Sequence, residues 1–315
     1  MAAIISASRR TDIPRYFGRW FAERRRQGTA EFSNVFGGRG QVSMRNQDVL
    51  GYLFWTRYAR PFGDQLQALR DEGIAYAFQY TITGLGRDIE PYVPNRARAV
   101  EDFLAVSRNL PDPRCIQWRY DPIFISGRYK SEFHLRNFAE IARALQGATR
   151  VVNVSVVEPY LKAIRRVADP SALYRTVCQG RHRSVLRRHP QLLQAGKEIV
   201  PFLEELAGTA ARHGMELRSC CNPEWGLAPS QCCGLELFAP FGESVRNGVA
   251  SLSPAPSRES CRCLKTVDIG MDNTCLAGCK YCYVVDSHES AVAHYREHDP
   301  ARATLRASPK TSPGY

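Results

Sequence analysis

Three closely spaced cysteines near the end of the chain are the residues best suited to chemistry. Cys275, Cys279 and Cys282 follow one another in the pattern C-x3-C-x2-C. Three thiolates this close can face one point if the backbone loops around it, and Gly278 permits a tight turn because glycine adopts positive φ freely. A cubic iron–sulfur cluster has four irons and is usually held by four cysteines. Because the triplet supplies only three thiolates, it predicts a [4Fe–4S] cluster in which one iron stays open to a small molecule.

The triplet also resembles the signature of the radical-SAM superfamily. There the open iron binds the amino and carboxylate groups of S-adenosylmethionine (SAM), and an aromatic residue before the third cysteine packs near the adenine. Tyr281 matches that position. The resemblance therefore implies SAM as a cofactor, with Tyr281 at its binding site. The location differs, because radical-SAM enzymes carry this loop after their first barrel strand and here it lies close to the C-terminus.

Apolar, β-branched runs alternate with helix-like segments, which is the pattern of parallel βα units. The predicted strands are residues 3–7, 31–36, 49–55, 75–83, 115–125, 150–157, 215–221 and 266–269. The predicted helices are 14–26, 95–110, 130–146 and much of 159–212. This alternation predicts an α/β fold, a (β/α)8 TIM-like barrel, with the cysteine loop after the last strand, at the end where barrels carry active sites. A doubly wound open sheet is the alternative.

A closed barrel would also explain where the cysteine loop lies. The last strand would neighbour the first, so the chain could be a circular permutation of the radical-SAM barrel. We expect a single domain over residues 1–299 that includes a cysteine-rich insertion before the last strand, at 219–265, and a cluster loop at 270–285. Residues 300–315 are expected to form a flexible tail.

Polar residues after the first predicted strand are candidate SAM ligands. Asp12 could accept hydrogen bonds from the methionine ammonium, and Arg9 or Arg10 could hold its carboxylate. In the alternative interpretation, Asp12 caps a helix and the arginines lie on the surface.

Charged residues within the fifth predicted strand indicate a polar cavity. Arg119 and Asp121 are costly to bury unless they are paired or hydrogen-bonded. We therefore expect Arg119, Asp121 and Thr56 to face the substrate. A structural ion pair inside the barrel is the alternative.

A second group of cysteines precedes the last predicted strand. It comprises two doublets, Cys220-Cys221 and Cys232-Cys233, and the pair Cys261 and Cys263. One cysteine of each doublet, assigned here as Cys220 and Cys232, completes a set of four thiolates with Cys261 and Cys263. Four thiolates suit structural zinc or a second iron–sulfur cluster. Which member of each doublet binds, and which metal, stays open, and free thiols under a loop are the alternative.

Composition narrows the class of protein. No apolar run is long enough for a membrane span, and the N-terminus lacks the features of a signal peptide, so we expect a cytoplasmic protein. Eleven cysteines in such a protein favour metal ligation over disulfides. The net charge of +12 is compatible with a nucleotide or nucleic-acid partner, although solvated helix faces explain it equally. The seven histidines lack metal-ligand spacing, which argues against a histidine-based hydrolase.

Motifs along nearly the whole chain resemble those of a prokaryotic domain family of unknown function. They are IISASRRTDIP, FWT, WRYDPI and CRCLKTVDIG…NTCLAGCKYCY. That family is noted for a C-terminal cysteine cluster similar to that of radical-SAM proteins. The resemblance implies that Cys275, Cys279 and Cys282 hold the cluster, and it implies no substrate.

Together these features predict a radical-SAM-like enzyme. It would cleave SAM reductively, with electrons from a donor protein, to start radical chemistry on a substrate. A non-enzymatic iron–sulfur or zinc protein, acting as a redox sensor or nucleic-acid binder, is the alternative. A barrel hydrolase with structural zinc is a third hypothesis.

Overall fold

An eight-stranded parallel sheet organises the protein. The computed structural model describes residues 2–33, 38–157, 160–167, 195–256 and 259–306. The main-sheet strands are β1 (Ala3–Ala7), β4 (Val49–Thr56), β5 (Tyr76–Thr81), β6 (Ile116–Ile123), β7 (Val151–Val156), β8 (Glu216–Ser219), β9 (Ala228–Pro229) and β10 (Thr266–Asp268). A separate antiparallel pair comprises β2 (Thr29–Ser33) and β3 (Arg39–Ser43). The strands are rich in the β-branched and aromatic residues that suit a pleated, buried surface.

Helices connect most of the main-sheet strands. They are α1 (Ile13–Tyr16), α2 (Gly18–Gln27), α3 (Gly63–Asp71), α4 (Arg96–Ser107), α5 (Ser131–Ala144), α6 (Leu161–Arg166), α7 (Ala195–Arg212), α8 (Leu235–Phe238), α9 (Glu243–Ala250) and α10 (His288–Arg296). Short 3-10 helices cover Asn46–Asp48, Arg60–Phe62, Pro113–Cys115, Pro223–Trp225 and Ala239–Phe241. None of the helices in the described ranges has the length and apolar character that a membrane crossing requires.

The strand order is β10-β1-β4-β5-β6-β7-β8-β9, and every neighbouring pair is parallel. Each strand lies beside the next main-sheet strand of the chain, and the last returns to lie beside the first. A doubly wound sheet instead reverses its order at a switch point. The predicted α/β fold with a parallel sheet is confirmed. The predicted closed barrel is not formed, because no pairing joins the edge strands β9 and β10 among the described residues.

The cysteine-rich insertion explains why the sheet stays open. Alternate side chains of a strand point to opposite faces. On one face, aromatic residues such as Phe54 and Trp118 pack against the helices. On the other, Ile4 and Leu53 pack against Phe238 of the insertion. The insertion therefore fills the space that a closed barrel would surround, and we call this side of the sheet the insertion face.

Buried amides bind the insertion to the sheet. On the insertion face, Gln79 Nε2 donates to Gln117 Oε1 at 2.7 Å and to the Cys232 carbonyl oxygen at 2.9 Å. Asn153 Nδ2 donates to the same Gln117 oxygen at 2.7 Å, and Ser230 donates to Asn153 Oδ1 at 2.7 Å. Because buried polar groups need partners, these bonds fix where the insertion sits.

Two parts of the chain differ from the sequence-based expectation. The strand expected at 31–36 is β2, which starts at Thr29 and pairs with β3 outside the main sheet; residues 34–36 lie outside the described residues. The eighth strand of the main sheet is instead β9, which has only two residues. Residues 300–306, expected to begin a flexible tail, pack on α2: Trp20 Nε1 donates to the Arg302 carbonyl at 2.9 Å, and Leu305 is buried. Residues 307–315 lie outside the described ranges.

Candidate metal centres

The cysteine triplet lies in the loop that follows β10, at the carboxyl end of the parallel sheet. Cys279 is buried and Cys275 and Cys282 are half-buried, within a small apolar cluster that includes Ile89. Gly278 has a φ of +66°, and a Cβ atom there would lie 2.6 Å from the Tyr92 ring. The loop therefore requires glycine at this position, as its sequence predicts.

The thiols of the triplet influence one another, and burial affects those of Cys275 and Cys279 most. Backbone N–H groups of Asp12 and Ala277 donate to the Cys275 sulfur. Burial, which disfavours the thiolate, raises the pKa of Cys275 and of Cys279 to about 12. The three sulfurs act on one another as charges across space. A bound metal ion lowers the pKa of a coordinating thiol enough to deprotonate it.

Asp268 and Arg10 fix the base of this loop. The Asp268 carboxylate accepts hydrogen bonds from the hydroxyls of Ser6 (2.9 Å) and Ser8 (2.8 Å) and from the Arg9 backbone N–H (2.9 Å). The Arg10 guanidinium forms ion pairs with Asp268 and Asp272 at 3.4 Å and donates to the Gly270 carbonyl. Arg10, a predicted SAM ligand, is therefore occupied in holding β1 to the cluster loop.

Asp12 combines two of the roles considered for it. It caps α1, where its carboxylate accepts from the Arg15 backbone N–H at 3.2 Å. It also accepts from Thr56 Oγ1 at 2.7 Å and from the Arg57 backbone N–H at 3.0 Å. Burial outweighs these hydrogen bonds and raises the pKa of Asp12 to about 6. Thr56 and Asp12 thus join the ends of β1 and β4 beside Cys275.

A buried ionic network lies against Cys279. Arg57 Nη1 is 2.8 Å from Glu90 Oε1, and Thr83 donates to the other Glu90 oxygen at 2.8 Å. The Tyr281 hydroxyl donates to Glu90 and accepts from Arg57. Burial opposes the Arg57 charge, but Glu90, Tyr281 and Cys279 together raise the pKa of Arg57 above its ordinary value.

A cavity of about 700 Å³ opens beside this network. Loops that follow β1, β4 and β5 line it, with Glu90 in its wall and Tyr92 against Gly278. Ligand pockets in proteins have this size and commonly lie at the carboxyl ends of parallel strands. Its cationic lining residues are Arg15, Arg87 and Arg98. A smaller cavity of about 490 Å³ lies beside the start of β5, and neither cavity has a thiol among its lining residues.

Comparison with known proteins gives one family. The model of the family described as a domain of unknown function (DUF1848) matches residues 4–284. The chain belongs to the DUF1848 family. No curated protein matches it. The part of this DUF1848 protein that matches includes both groups of cysteines and ends just after Cys282, and the expected membership of an uncharacterised family is confirmed.

The second group of cysteines is assembled on the insertion face of this DUF1848 protein. The Cys232 thiol hydrogen-bonds to the thiols of Cys220 and Cys263, and Cys263 to that of Cys261. Cys232 and Cys263 are buried. The structure thus brings together the four cysteines that the sequence singles out. Of the other doublet members, Cys221 has its sulfur 3.8 Å from that of Cys220.

Two arginines flank this second group. The guanidinium groups of Arg9 and Arg119 lie 5.2 and 4.8 Å from the ring centre of Trp55, and Arg119 Nη1 is 3.6 Å from the Cys232 sulfur. Arg119 also pairs with Asp121. The Arg9 side chain, predicted to bind SAM, therefore lies beside the second cysteine group. Arg119 and Asp121 form the ion pair of the alternative interpretation, whereas Thr56 lies with Asp12.

The side chains fit metal binding in type but not as a completed site. Within the ranges that the structure describes, no three His, Cys, Asp or Glu side chains have the arrangement of a formed metal site. Grouping, burial and N–H donors at sulfur all suit thiolate ligands. The thiol side chains of the second group must rotate before they bind a metal, because they donate to one another. Cys178 lies outside the described residues.

Sequence reasoning missed Glu90. It lies in the loop after β5 without a motif, and its only signal is a carboxylate within an apolar and proline-rich stretch. Arg57 adjoins the predicted Thr56, but nothing in the sequence pairs it with Glu90 or Tyr281.

Proposed function

We propose that the protein is a radical-SAM-like enzyme whose Cys275, Cys279 and Cys282 hold a [4Fe–4S] cluster. The observation that carries this proposal is the grouping of one buried and two half-buried thiols at the carboxyl end of the sheet, beside a cavity large enough for a nucleoside cofactor. We further propose that the open sheet is a permuted relative of the radical-SAM barrel. The position of β10 beside β1 supports this, because the cysteine loop then adjoins the first strand in space.

The residues around the triplet suit an anionic cluster. The N–H groups of Asp12 and Ala277 donate to the Cys275 sulfur and would favour its thiolate form. The Arg57 cation adjoins Cys279 and would offset part of the negative charge of a thiolate-bound cluster. When bound, such a cluster would supply the single electron for reductive cleavage of SAM, which would start the radical chemistry proposed for the substrate.

The cavity next to the network is a better location for SAM than the positions of Arg9, Arg10 and Asp12, which the sequence predicts as its ligands. Asp12 and Arg10 are engaged by neighbours, and the Arg9 side chain lies by the second cysteine group. Arg15 or Arg87 in the cavity wall could hold the methionine carboxylate, whereas Glu90 in the same wall is already engaged by Arg57, Tyr281 and Thr83. Tyr281 would orient Glu90 rather than contact the cofactor through its hydroxyl.

The substrate and the electron donor are proposed only by class. The charge of +12 and the arginines of the cavity favour a phosphorylated substrate, such as a nucleotide or a nucleic acid. A small electron-donor protein would supply the reducing equivalents.

Anaerobic reconstitution with iron and sulfide tests the proposal. We expect iron binding and formation of 5′-deoxyadenosine when SAM and a reductant are added. Cys279→Ala should lose both, whereas Cys115→Ala, which alters a buried core cysteine away from either group, should keep them. If Cys279→Ala formed as much 5′-deoxyadenosine as the unaltered protein, the proposed enzymatic activity would be refuted. A cluster whose spectrum SAM leaves unchanged, with no product, would favour the non-enzymatic redox sensor.

A further inference from the structure

The four cysteines on the insertion face lie together in one cluster with apolar residues. Cys232 hydrogen-bonds through its thiol to Cys220 and Cys263, and Cys263 does so to Cys261. The sulfur of Cys221, outside the set of four, lies 3.8 Å from that of Cys220. Among the described residues, no thiol hydrogen bond joins the members of the triplet. The two groups therefore differ in the size of the metal centre that each can surround.

The geometry points to a single zinc ion bound by Cys220, Cys232, Cys261 and Cys263. With zinc–sulfur bonds of about 2.3 Å, the sulfurs of a tetrahedral site lie about 3.8 Å apart. That spacing is the spacing of thiols in direct contact. In a [4Fe–4S] cube each cysteine binds a different iron, so the sulfurs must stand further apart. The second group thus suits a single metal ion. To bind that ion, thiol side chains that are already neighbours have to rotate.

The charges around the group match an anionic centre. Four thiolates and one Zn²⁺ carry a net charge of about −2. Arg9 lies near Cys263 and Cys232, and Arg119 Nη1 is 3.6 Å from the Cys232 sulfur. Asp121 forms an ion pair with Arg119 and offsets part of its charge. Arg9 is therefore the cation that is more available to the metal centre. Buried anionic centres without nearby cations are strongly disfavoured.

Buried donors without acceptors provide a second and independent observation. Among the described side chains, Arg9 Nε, Trp55 Nε1 and Gln117 Nε2 are buried and make no hydrogen bond. Both arginines lie against the Trp55 ring, and Gln117 is bonded to the Gln79 side chain that also donates to the Cys232 carbonyl. Unpaired N–H groups are costly in a neutral interior. They are expected around a negatively charged metal–thiolate centre, whose sulfurs accept hydrogen bonds.

Such a site would be closed and structural. All four positions of the zinc are taken by protein, which leaves none for a substrate. The insertion has few regular elements apart from α8 and α9, and metal binding would offset the entropy cost of ordering it against the sheet. The zinc would therefore hold in place the segment that keeps the barrel open.

Metal analysis of the full-length protein tests this inference. Protein purified in air should retain about one zinc per chain, with no iron at this group. Cys232→Ser and Cys263→Ser should lose the zinc, whereas Cys221→Ser and Cys233→Ser, which alter the other doublet members, should retain it. Zinc retained in full by Cys232→Ser overturns the inference, as does iron in place of zinc at these cysteines.

Cobalt substitution distinguishes loss of the site from misfolding. Co²⁺ added to metal-free protein should give the intense visible bands of a tetrahedral four-thiolate site. Cys261→His should still bind Co²⁺, because zinc sites accept histidine, but with weaker sulfur-to-cobalt charge-transfer absorption. An unchanged spectrum in Cys261→His, or a six-coordinate spectrum in the unaltered protein, contradicts the inference. Cys279→Ala should keep the zinc, so failure of the cluster proposal and failure of this one are separable.

Discussion

The ion pair between Arg57 and Glu90 allows a test that separates stability from metal binding. Arg57 is paired with Glu90 at 2.8 Å beside Cys279, and Glu90 is only 2% exposed. Arg57→Gln would remove the cation and leave the carboxylate buried. Glu90→Gln with Arg57→Gln would remove both charges while keeping side chains of similar size.

The structure sets the expected magnitude. Removing one partner of a buried ion pair costs roughly 3–5 kcal/mol, whereas replacing both is often nearly neutral. Thr83 and Tyr281 continue to donate to Glu90 in the single variant. We therefore expect Arg57→Gln to lower the free energy of unfolding by about 3 kcal/mol, the lower end of that range. The corresponding fall in melting temperature for a chain of 315 residues is roughly 4–5 °C. The double variant should return to within about 1 kcal/mol of the unaltered protein.

Chemical denaturation and iron analysis of both variants measure the two effects. The double variant should fold stably yet retain less iron after reconstitution, because the cation beside Cys279 is gone. If Arg57→Gln costs less than about 1 kcal/mol, the pair behaves as a solvated one and the buried network is refuted. If the double variant is stable and binds iron as well as the unaltered protein does, Arg57 serves only the fold.

Two further perturbations follow from local structure. His134 is buried against Tyr120, and burial lowers its pKa to about 4, below the ordinary value of 6.5; its contribution to stability should therefore be lost as pH falls from 6.5 to 4, by up to about 3 kcal/mol. In denaturation between pH 4 and 7, His134→Gln should flatten that slope and the half-buried control His213→Gln should not. Gly278→Ala places a Cβ at a φ of +66° against Tyr92, whereas Gly147→Ala meets only the strain of a φ of +81°. We expect about 1 kcal/mol for Gly147→Ala and a larger loss, with reduced iron retention, for Gly278→Ala; equal losses and full iron content would refute the role of this turn.

The sequence predicts the strands of the main sheet because each is a short apolar run between polar turns. The bounds of β1 match the predicted 3–7, and β4 to β8 are each found within about two residues of the predicted ends. The predicted number of strands in the main sheet, eight, is nevertheless correct only by coincidence, because the predicted set includes β2 and lacks β9. β2 has strand-like residues but pairs locally with β3, and β9 is too short to give a periodic signal. Pairing partners are set by the whole fold, and propensity does not report them.

The candidate sites show the same division. The spacing of the cysteines alone identifies both groups as candidate metal ligands. Few roles other than metal binding explain so many thiols in one region. Side-chain direction is not readable in this way. Arg9, Arg10 and Asp12 follow β1 closely, yet their side chains reach the second cysteine group, the loop base and Thr56 respectively. Glu90 belongs to the first site only because the loop after β5 folds back onto Tyr281, a contact distant in sequence.

The insertion also changes where a substrate can bind. In a closed barrel, residues such as Arg119 and Asp121 would line an open interior. Here those two are paired with each other beside Cys232, and the amides of Gln79 and Gln117 are bonded to the insertion. The interior is thus occupied by protein, and the cavity of about 700 Å³ lies instead among the loops after β1, β4 and β5. For the proposed enzyme, the residue that selects the substrate should therefore be sought at Arg98, since Arg15 and Arg87 are proposed to hold SAM. Charge reversal at Arg98 should weaken substrate binding without loss of zinc, whereas Arg119→Gln should act through the zinc site.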